Sequence, residues 1–564
     1  MLAFRPGRMG GPTRSTTLLR FFGRKSLGIA DNHPTNSVET PSRSIASCAG
    51  LSGGPWWQNR HPTQQRTKLF SSLKREGTES KSIDESSAMM CQTRNLAARL
   101  VEGSEGDVST LQPMNLVVAV AGGGSSAVSS IASTPGASSI LLESVVTYDR
   151  RSYAEFVSSN LEGKSHRSWL EKLDDSTCND GDSSFSFCSS QSALLLSRSA
   201  LSRSLQLTSS FQSTANCIGI GCTSSLVGKV SAEGHDGKRI GRKSRAHIAV
   251  SDVLHGTTVF DIELDGSNLA IDGEEVLGSR RDRVEEDAIV SNLVLLALIR
   301  TRENLHNSFE IMEQALDRRD DRIEGRTLDD FSPKTPADGA MEISGGIADA
   351  VAILPTSGGM LSLFADDNIR FPRDVIIVPG SFNPPHQGHV GLANAAVKAI
   401  KKRNRERLLE FPDSFSSTTI MNSIWSKLST ENDSVPSVFF EMSVTNADKP
   451  PLDSVEVQRR VDSFRDLPNA NMPDDWAILL TNAPLFSQKT AILNDLIKSY
   501  GETIGGQSPT KMTFVLGADT MVRILDPKYY DNDRDNMIAA LEDMRQKGVH
   551  FVVGGRLEQG TGGM

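Results

Sequence analysis

A buried strand, a tight turn and a helix follow one another between residues 374 and 400, and this order limits the fold more than any other feature. Residues 375–378 form an uninterrupted apolar run, which suits a parallel strand covered on both faces. Pro379 and Gly380 end that strand, and a helical pattern starts just after His389. In an open α/β sheet, ligands bind where the carboxyl ends of strands meet the amino ends of helices. Free backbone N–H groups and the helix dipole both favour a phosphate group there.

The turn reads GSFNPPHQGH and carries two histidines three positions apart. Gly380 lets the backbone approach a triphosphate, and Gly388 leaves space between the two histidine side chains. His386 and His389 then face one oxyanion, to which imidazole N–H groups can donate hydrogen bonds. Such donors stabilise the charge that develops during in-line displacement at an α-phosphorus. The motif therefore predicts a protein that handles a nucleoside triphosphate without a covalent enzyme intermediate.

At these residues the chain resembles the HxGH nucleotidyltransferase (cytidylyltransferase-like) superfamily, and GSFNPPHQGH is most similar to its nicotinamide and nicotinate mononucleotide adenylyltransferases. The resemblance implies an enzyme that transfers AMP from ATP, with Mg²⁺ as cofactor, to a phosphate-bearing acceptor. Pyrophosphate is released, as in NAD biosynthesis. It also implies that His386 and His389 stabilise the transition state. The residues that it assigns to nucleotide binding are Gly380, Ser381, Phe382, Asn383, Gly388, Gly517 and Asp519.

Three other segments bear on this resemblance. GADT (517–520) is similar to the family's G-x-D element, which contacts the nucleotide ribose. FEMSVTNADKPPL (440–452) lies where the family carries S-P-x-N-D-x-Y-x-K, so Lys449, Arg459 and Arg460 are candidates for contacting the acceptor or its phosphate. Solvated surface charge is the alternative for each of these cations. The family's late I-S-[ST]-x-x-R motif does not follow the last predicted strand, so we expect either a truncated C-terminal end or a weaker grip on the triphosphate.

Strand and helix patterns also alternate earlier in the chain, so we expect an N-terminal α/β domain over residues 89–306. Its segments AGGGSSAVSSIASTPGAS, LLESVVTYDRRSYAEF and CIGIGCTSSL resemble the C-terminal domain of the CinA family. Bacterial members of that family deamidate nicotinamide mononucleotide. The resemblance implies a pocket that includes Gly123, Gly124 and Tyr148.

The nucleophile of the CinA deamidases has no counterpart in this sequence. Their serine falls on Ala119 or Val120, and neither side chain can attack a carbonyl carbon. Ser125 or Ser126 could replace it, but no neighbouring base is evident and a serine at a helix start is more often a cap. We therefore expect this domain to bind or to scaffold, with an active amidohydrolase as the alternative.

The remaining segments complete the domain organisation. Residues 1–30 contain five arginines, one lysine and no acidic residue, which is typical of a transit peptide. This composition predicts localisation in an organelle. The mitochondrion is the first candidate, and the plastid and the cytoplasm are the alternatives. Residues 31–88 lack a sustained apolar period and are predicted to be disordered, and residues 307–370 are predicted to be a linker. Residues 371–564 should form the HxGH domain, a Rossmann-like doubly wound parallel sheet with strands at 375–378, 438–444, 477–480, 513–516 and 550–553.

The composition of the chain limits the classes of partner that we expect. A net charge of −9 over 564 residues gives no polyanion-binding signature, so nucleic acid is not expected as a partner. No apolar run approaches the roughly 20 residues that span a bilayer. The six cysteines include no CxxC pair, so neither a zinc site nor a disulfide framework is indicated. The expected partners are ATP and a small phosphorylated acceptor. The sequence leaves open whether the protein forms a homo-oligomer.

The sequence leaves two questions of function open. Phosphopantetheine adenylyltransferases and the phosphocholine or phosphoethanolamine cytidylyltransferases also carry HxGH, so the base and the acceptor are undecided. A nucleotide-binding protein without turnover is the alternative from a different class of protein.

Overall fold

The computed structural model describes residues 80–103, 111–161, 185–208, 210–227, 244–265, 270–271, 274–275, 281–305, 309–316, 320–328, 335–355, 357–364, 374–410, 436–448, 450–501 and 511–555. The predicted transit peptide and residues 31–79 lie outside these ranges. Glu76–Met564 belong to one compact unit, in which the described strands form two large mixed sheets and one two-stranded ladder. The α/β class predicted from the sequence is confirmed.

The first sheet has six strands. They are β1 (Asn115–Ala121), β2 (Leu141–Val146), β3 (Cys217–Ser225), β4 (Ser244–Asp252), β5 (Gly256–Leu264) and β8 (Arg322–Leu328). Their order is β2-β1-β3-β4-β5-β8. The strand β1 pairs in parallel with β2 and β3, whereas the pairs from β3 to β8 are antiparallel. The short ladder consists of β6 (Ala270–Ile271) and β7 (Glu274–Glu275).

The helices of this half cover both faces of the first sheet. They are α1 (Ser80–Glu102), α2 (Ser125–Ser133), α3 (Arg150–Asn160), α4 (Ser190–Leu207), α5 (Arg283–Arg302) and α6 (Glu310–Glu313). The helical sequence pattern from about residue 283 to residue 303 forms α5. Asp282 starts this helix by accepting the N–H groups of Val284 and Glu285, in a capping box with Glu285. From Ala288 onward α5 is buried on all sides, which fits its largely apolar sequence, continuous from Leu293 to Ile299.

Two glycines allow α4 to lie directly on β3. A Cβ atom at Gly219 would stand 2.1 Å from the backbone nitrogen of Leu201. A Cβ atom at Gly221 would stand 2.3 Å from the carbonyl oxygen of Ala193. The backbone of the helix therefore occupies the space that side chains of the strand would otherwise fill.

The second sheet has seven strands. They are β9 (Ala350–Leu354), β10 (Gly359–Leu363), β11 (Asp374–Pro379), β12 (Ser437–Ser443), β13 (Trp476–Thr481), β14 (Lys511–Gly517) and β15 (Val549–Gly554). Their order is β10-β9-β13-β12-β11-β14-β15. All five strands predicted for this half are present, and they are parallel to one another. The other two strands form an antiparallel hairpin at one edge.

Helices cover both faces of the second sheet as well. They are α7 (Pro336–Ser344), α8 (Gln387–Glu410), α9 (Ser454–Asp462), α10 (Phe486–Gly501), α11 (Ala518–Ile524) and α12 (Arg534–Gln546). Ile376 and Val378 of β11 belong to one buried core, while Val375 and Ile377 belong to the core on the opposite face. This double coverage explains why the strand is apolar at every position. Among the described helices, none is long and apolar enough to cross a membrane.

The predicted linker over residues 307–370 needs correction. Its described residues include β8 of the first sheet and α7, β9 and β10 of the second. The strand β8 is an exposed edge strand of mostly charged and polar residues, so its amino-acid sequence is similar to that of a loop. The strand β9 pairs with β13, more than a hundred residues further along the chain, and local sequence does not indicate so distant a pairing. In addition, α1 begins at Ser80, inside the stretch predicted to be disordered.

A turn from the first half joins the second sheet. Phe211 is 2% exposed and lies in a core cluster of the second sheet, where its ring meets Phe439 edge to face at 4.9 Å. Asp475, just before β13, accepts hydrogen bonds from the Ser210 hydroxyl and the Gln212 N–H, each at 2.8 Å. The two sheets are thus connected through buried apolar and hydrogen-bonding contacts.

Candidate functional site

The loop over residues 380–386 connects the carboxyl end of β11 to the amino end of α8. The strand β11 lies between β12 and β14 and pairs in parallel with both. Because the strand order is β13-β12-β11-β14-β15, the direction of winding reverses between β11 and β14. Such a reversal opens a crevice at the carboxyl ends of the strands, where open α/β sheets bind ligands. The GSFNPPHQGH loop lies at this crevice.

His386 and His389 stack against each other at the start of α8. Their ring centroids are 3.8 Å apart and the planes are inclined by 32°. Nδ1 of His389 accepts the N–H of His386 at 3.2 Å, and Nδ1 of His386 accepts the N–H of Gly388 at 3.1 Å. Since Nδ1 of each ring accepts a hydrogen bond, the proton of the neutral ring lies on Nε2. Both Nε2–H groups can then donate to a ligand.

The surroundings of His389 keep its ring neutral. The pKa of His389 is lowered to about 4, first by burial and second by the neighbouring His386. The backbone hydrogen bond with His386 raises this pKa by a smaller amount. A Cβ atom at Gly388 would stand 2.9 Å from Nδ1 of His386, so a side chain there would displace the ring. The spacing of the motif therefore permits two closely placed imidazoles, of which His389 is uncharged near neutral pH.

Phe382 belongs to the core beneath the loop. It is 1% exposed, and its ring packs edge-on against His389 and Phe440. A Cβ atom at Gly380 would stand 2.8 Å from that ring. Ser381 is exposed, whereas Phe382 is buried and its phenyl ring packs beneath His389.

Arg459 and Arg460, predicted as contacts of the acceptor or its phosphate, come to the loop from α9. Nη2 of Arg459 donates to Oδ1 of Asn383 at 2.5 Å, and Nη1 of Arg460 donates to the carbonyl oxygen of Ser381 at 2.9 Å. Both guanidinium groups also bind the Glu456 carboxylate, and their hydrogen bonds lower the pKa of that carboxyl to about 2. The arginines thus hold the loop in place and bring positive charge beside it. Lys449, the third predicted cation, lies outside the described residues.

A cavity of about 210 Å³ opens beside the loop, at the carboxyl ends of β11, β12 and β13. Arg460 lines it together with a buried ion pair between Lys489 and Glu441, whose Nζ and Oε1 atoms are 2.5 Å apart. Oε1 also accepts the Thr481 hydroxyl at 2.6 Å, whereas Oε2 has no hydrogen-bond partner among the residues that the structure describes. Sequence reasoning missed this pair, although a glutamate inside the apolar run VFFEM was a detectable signal.

Gly517 and Asp519 lie at the same edge of the sheet. The register pairs Ile377 of β11 with Phe514 of β14, so the ends of these neighbouring strands lie side by side. Gly517 precedes α11 and Asp519 lies in its first turn, and both are exposed. The sheet therefore brings the predicted ribose-binding element next to the histidine loop.

The first sheet has a second cavity, of about 340 Å³, at the carboxyl ends of β1, β2 and β3. Gly122 and Tyr148 line it, and the adjacent Gly123 donates its N–H to the Ser224 hydroxyl. The N–H of Gly124 points elsewhere, to Oδ1 of Asp287 at 2.8 Å. Of the predicted pocket residues, the structure thus places Tyr148 on the cavity wall and the two glycines in the loop behind it.

Ser126, one of the two serines considered as alternative nucleophiles, is hydrogen-bonded at the start of a helix. The Ser126 hydroxyl donates to Oδ2 of Asp287 at 2.5 Å, in the first turn of α2. A carboxylate oriented in this way holds the start of the helix together with Gly124. Ala119 and Val120, where the deamidases carry their serine, are completely buried inside β1.

The fold and these two cavities define an α/β protein with two mixed sheets, each of which has a cleft at the carboxyl ends of its parallel strands. No protein-family model matches the sequence, and no curated protein matches it either. Solved structures of the CinA superfamily are among its structural neighbours.

One of these neighbours is the competence/damage inducible protein CihA from Agrobacterium tumefaciens, at 14% identity and a TM-score of 0.21. That match covers 38% of this chain and 94% of the other. A CinA superfamily protein from Enterobacter cloacae matches at 15% identity and a TM-score of 0.21, covering 41% of this chain and 98% of the other. One from Klebsiella pneumoniae matches at 14% identity and a TM-score of 0.22, covering 38% and 98%.

Proposed function

We propose that the second half of the chain is a nucleotidyltransferase that transfers AMP from ATP to a small phosphate-bearing acceptor. One observation carries this proposal. The GSFNPPHQGH loop lies at the point where the strand order reverses, and it presents two imidazoles whose Nδ1 atoms are occupied by backbone donors. Two Nε2–H donors at a helix amino end are well suited to phosphate oxygens.

The reaction follows from these positions. A phosphate oxygen of the acceptor attacks the α-phosphorus of ATP in line, while the bond from that phosphorus to the oxygen bridging the α- and β-phosphates breaks and pyrophosphate leaves. His386 and His389 donate hydrogen bonds to the oxygens on which negative charge grows. The neutral ring of His389 makes it a hydrogen-bond donor whose own charge does not change. A Mg²⁺ ion bound with the triphosphate would neutralise negative charge on the leaving pyrophosphate.

The cavity beside the loop suggests the acceptor's place. Arg460 lines it, and a phosphate ester carries the charge that a guanidinium attracts, whereas Lys489 is paired with Glu441. A volume of about 210 Å³ fits a compact molecule. We take nicotinamide and nicotinate mononucleotide as first acceptors because the loop sequence is most similar to their adenylyltransferases.

Pyrophosphate release from Mg-ATP tests the proposal on the full chain. The acceptors are nicotinamide mononucleotide, nicotinate mononucleotide, phosphopantetheine and phosphocholine, with CTP offered in parallel. We expect release with one acceptor, reduced roughly 100-fold or more by His386→Ala or His389→Ala, because each removes one donor to the developing charge. His255→Ala, which changes a histidine in the turn between β4 and β5, should leave the rate unchanged.

Two results would redirect the assignment. Binding of ATP without pyrophosphate release in the presence of any of the acceptors would contradict the transferase and favour a nucleotide-binding protein. Release from CTP in preference to ATP would keep the reaction type and replace the adenylyltransferase by a cytidylyltransferase.

A further inference from the structure

A buried ion pair adjoins the histidine loop and lines the cavity of about 210 Å³. The side chain of Glu441, on β12, is 1% exposed, and that of Lys489, in the first turn of α10, is 6% exposed. The backbone carbonyl oxygen of Glu441 accepts the N–H of Gly380 at 3.0 Å, so the pair lies next to the first residue of the loop. This position allows the pair to meet a ligand that binds at the loop.

The hydrogen-bonding capacity of the pair is only partly used. Oε1 of Glu441 accepts hydrogen bonds from Nζ of Lys489 at 2.5 Å and from the Thr481 hydroxyl at 2.6 Å. Oε2 is buried and accepts no hydrogen bond from the residues that the structure describes. An ammonium group has three N–H donors, and within the described ranges Nζ donates to Glu441 alone. The pair therefore has one acceptor atom and further N–H donors for a ligand.

The burial of this pair is costly for the folded chain. Two charges withdrawn from water recover their lost hydration only where further hydrogen bonds satisfy the remaining lone pairs and protons. A lysine ammonium in the first turn of a helix also opposes the helix dipole. Glu441 stands among the apolar residues of the segment VFFEM, where an apolar side chain would avoid both costs. A ligand group that donates a hydrogen bond to Oε2 would offset part of the cost.

The charges of the pair indicate which ligand group fits. Carboxylate and ammonium neutralise each other, so the pair as a whole favours an uncharged group. A carboxamide matches it, because the amide N–H donates to Glu441 while the amide oxygen accepts from Lys489. A carboxylate in the same place has no N–H to donate and brings a second negative charge beside Glu441. Arg460, which also lines the cavity, supplies the charge that a phosphate needs.

We propose that Glu441 and Lys489 determine the specificity of this site by binding an uncharged carboxamide of the acceptor and rejecting a carboxylate in its place. The inference rests on the proposed function for the kind of acceptor, although the preference itself requires no turnover. Nicotinamide mononucleotide carries the carboxamide, and nicotinate mononucleotide carries a carboxylate at the same ring position. The pair therefore selects the first of these two acceptors.

Equilibrium binding of the two mononucleotides to the full chain tests this selection. Isothermal titration calorimetry is carried out with Mg²⁺ and the non-hydrolysable α,β-methylene analogue of ATP, so that no transfer occurs. We expect the wild type to bind nicotinamide mononucleotide at least about ten times more tightly, because only nicotinate mononucleotide brings like charges together. Equal affinities, or no binding of either mononucleotide, would overturn the proposal.

Glu441→Gln separates recognition from a structural role. The variant removes the repelling carboxylate and leaves the Lys489 ammonium without its counter-ion, so the preference should reverse in favour of nicotinate mononucleotide. A merely structural pair would weaken the binding of both ligands alike. Glu542→Gln, which changes a more exposed carboxylate on α12 paired with Arg545, should keep the wild-type preference.

A double variant keeps the test valid if Glu441→Gln does not fold. Glu441→Gln combined with Lys489→Met leaves no buried charge without a partner. The affinities for the two mononucleotides should then differ by less than about threefold, because neither the repulsion nor the attraction is left. A preference of the wild-type size in the folded double variant would contradict the role of the pair.

Turnover distinguishes a failure of this inference from a failure of the proposed function. Pyrophosphate release with both mononucleotides at similar kcat/KM would support the transferase and refute the selection by Glu441 and Lys489. Absence of release, together with a binding preference that Glu441→Gln reverses, would support the selection and refute the transferase.

Discussion

The surroundings of His389, at the start of α8, and of His247, on β4 opposite Asp261 of β5, shift the pKa values of the two rings in opposite directions. His389 is partly buried beside another histidine, and its pKa falls to about 4. His247 contacts the Asp261 carboxylate, and its pKa rises to about 9. The same residue type is therefore an uncharged donor in one place and a cation in the other.

An NMR titration of histidine rings in the full chain should show this contrast. We expect a midpoint near pH 4 for His389 and near pH 9 for His247. In His386→Ala the midpoint of His389 should rise but stay below 6.5, because burial is the larger cause. A midpoint at or above 6.5 for His389 in the wild type would contradict the neutral donor.

The folded-state pKa of His247 also predicts how stability depends on pH. Its value of about 9 lies above the ordinary 6.5, so the folded state binds the extra proton between these limits. The stabilisation is complete below pH 6.5 and is lost as the pH rises towards 9. The difference in unfolding free energy between the wild type and His247→Gln should accordingly be largest at pH 6 and shrink by pH 9. A difference that grows with pH in urea unfolding would refute this, and His255→Gln is the matched control.

The buried pair of Lys489 and Glu441 makes a second prediction about single residues. Lys489→Met leaves the Glu441 carboxylate buried without its cation, which should cost about 3–5 kcal/mol of unfolding free energy. Adding Glu441→Gln should recover part of that loss because the stranded charge disappears. Urea denaturation measures both. Lys547→Ala, which breaks a surface pair with Asp543, should cost no more than about 1 kcal/mol, and an equal cost at the two lysines would contradict the argument.

At the level of elements, the contact between α4 and β3 depends on residues without side chains. The sequence shows an apolar strand pattern at 217–221 and a helical pattern at 190–207, and the two segments form β3 and α4. It did not show that the helix backbone approaches Gly219 and Gly221 so closely. Close packing of this kind is decided by which element lies opposite, and that information is not local.

Gly219→Ala should separate α4 from β3. Its Cβ atom would meet backbone atoms of Leu201 and Ser197 within 2.3 Å, and these cannot rotate away. We expect a loss of about 1–3 kcal/mol in unfolding free energy, measured by urea denaturation. Gly391→Ala is the control, because nothing lies within 4 Å of a Cβ there. In helix α8 it should stabilise by roughly 0.5–1 kcal/mol, and a harmless Gly219→Ala would show that the helix can shift at no cost.

At the scale of the whole molecule, the two sheets share a buried contact through Phe211 and Asp475. Phe211 comes from the first half of the chain but lies in a core of the second sheet. Asp475 satisfies the backbone N–H groups of Phe211 and Gln212. We therefore expect the described part of the chain to unfold as one cooperative unit.

Phe211→Ala should uncouple the halves. The loss of a fully buried ring costs about 3–5 kcal/mol of unfolding free energy. In this variant the lost packing belongs to the contact between the two sheets. Differential scanning calorimetry should show one transition in the wild type and two in the variant. Two transitions already in the wild type would mean that this contact does not couple the sheets. Phe486→Ala, within the second half, should lower a single transition without splitting it.

The sequence by itself determined the class of fold and the main strands of the second sheet, because uninterrupted apolar runs and a strand–turn–helix order are local properties. It also marked the histidine loop, whose glycines and histidines are adjacent in the chain. The tertiary structure alone decided the edge strands inside the expected linker, the pairing of Lys489 with Glu441 and the contact of His247 with Asp261. Each of these depends on contacts between residues far apart in the chain, and their energy comes from burial and pairing that no short segment contains.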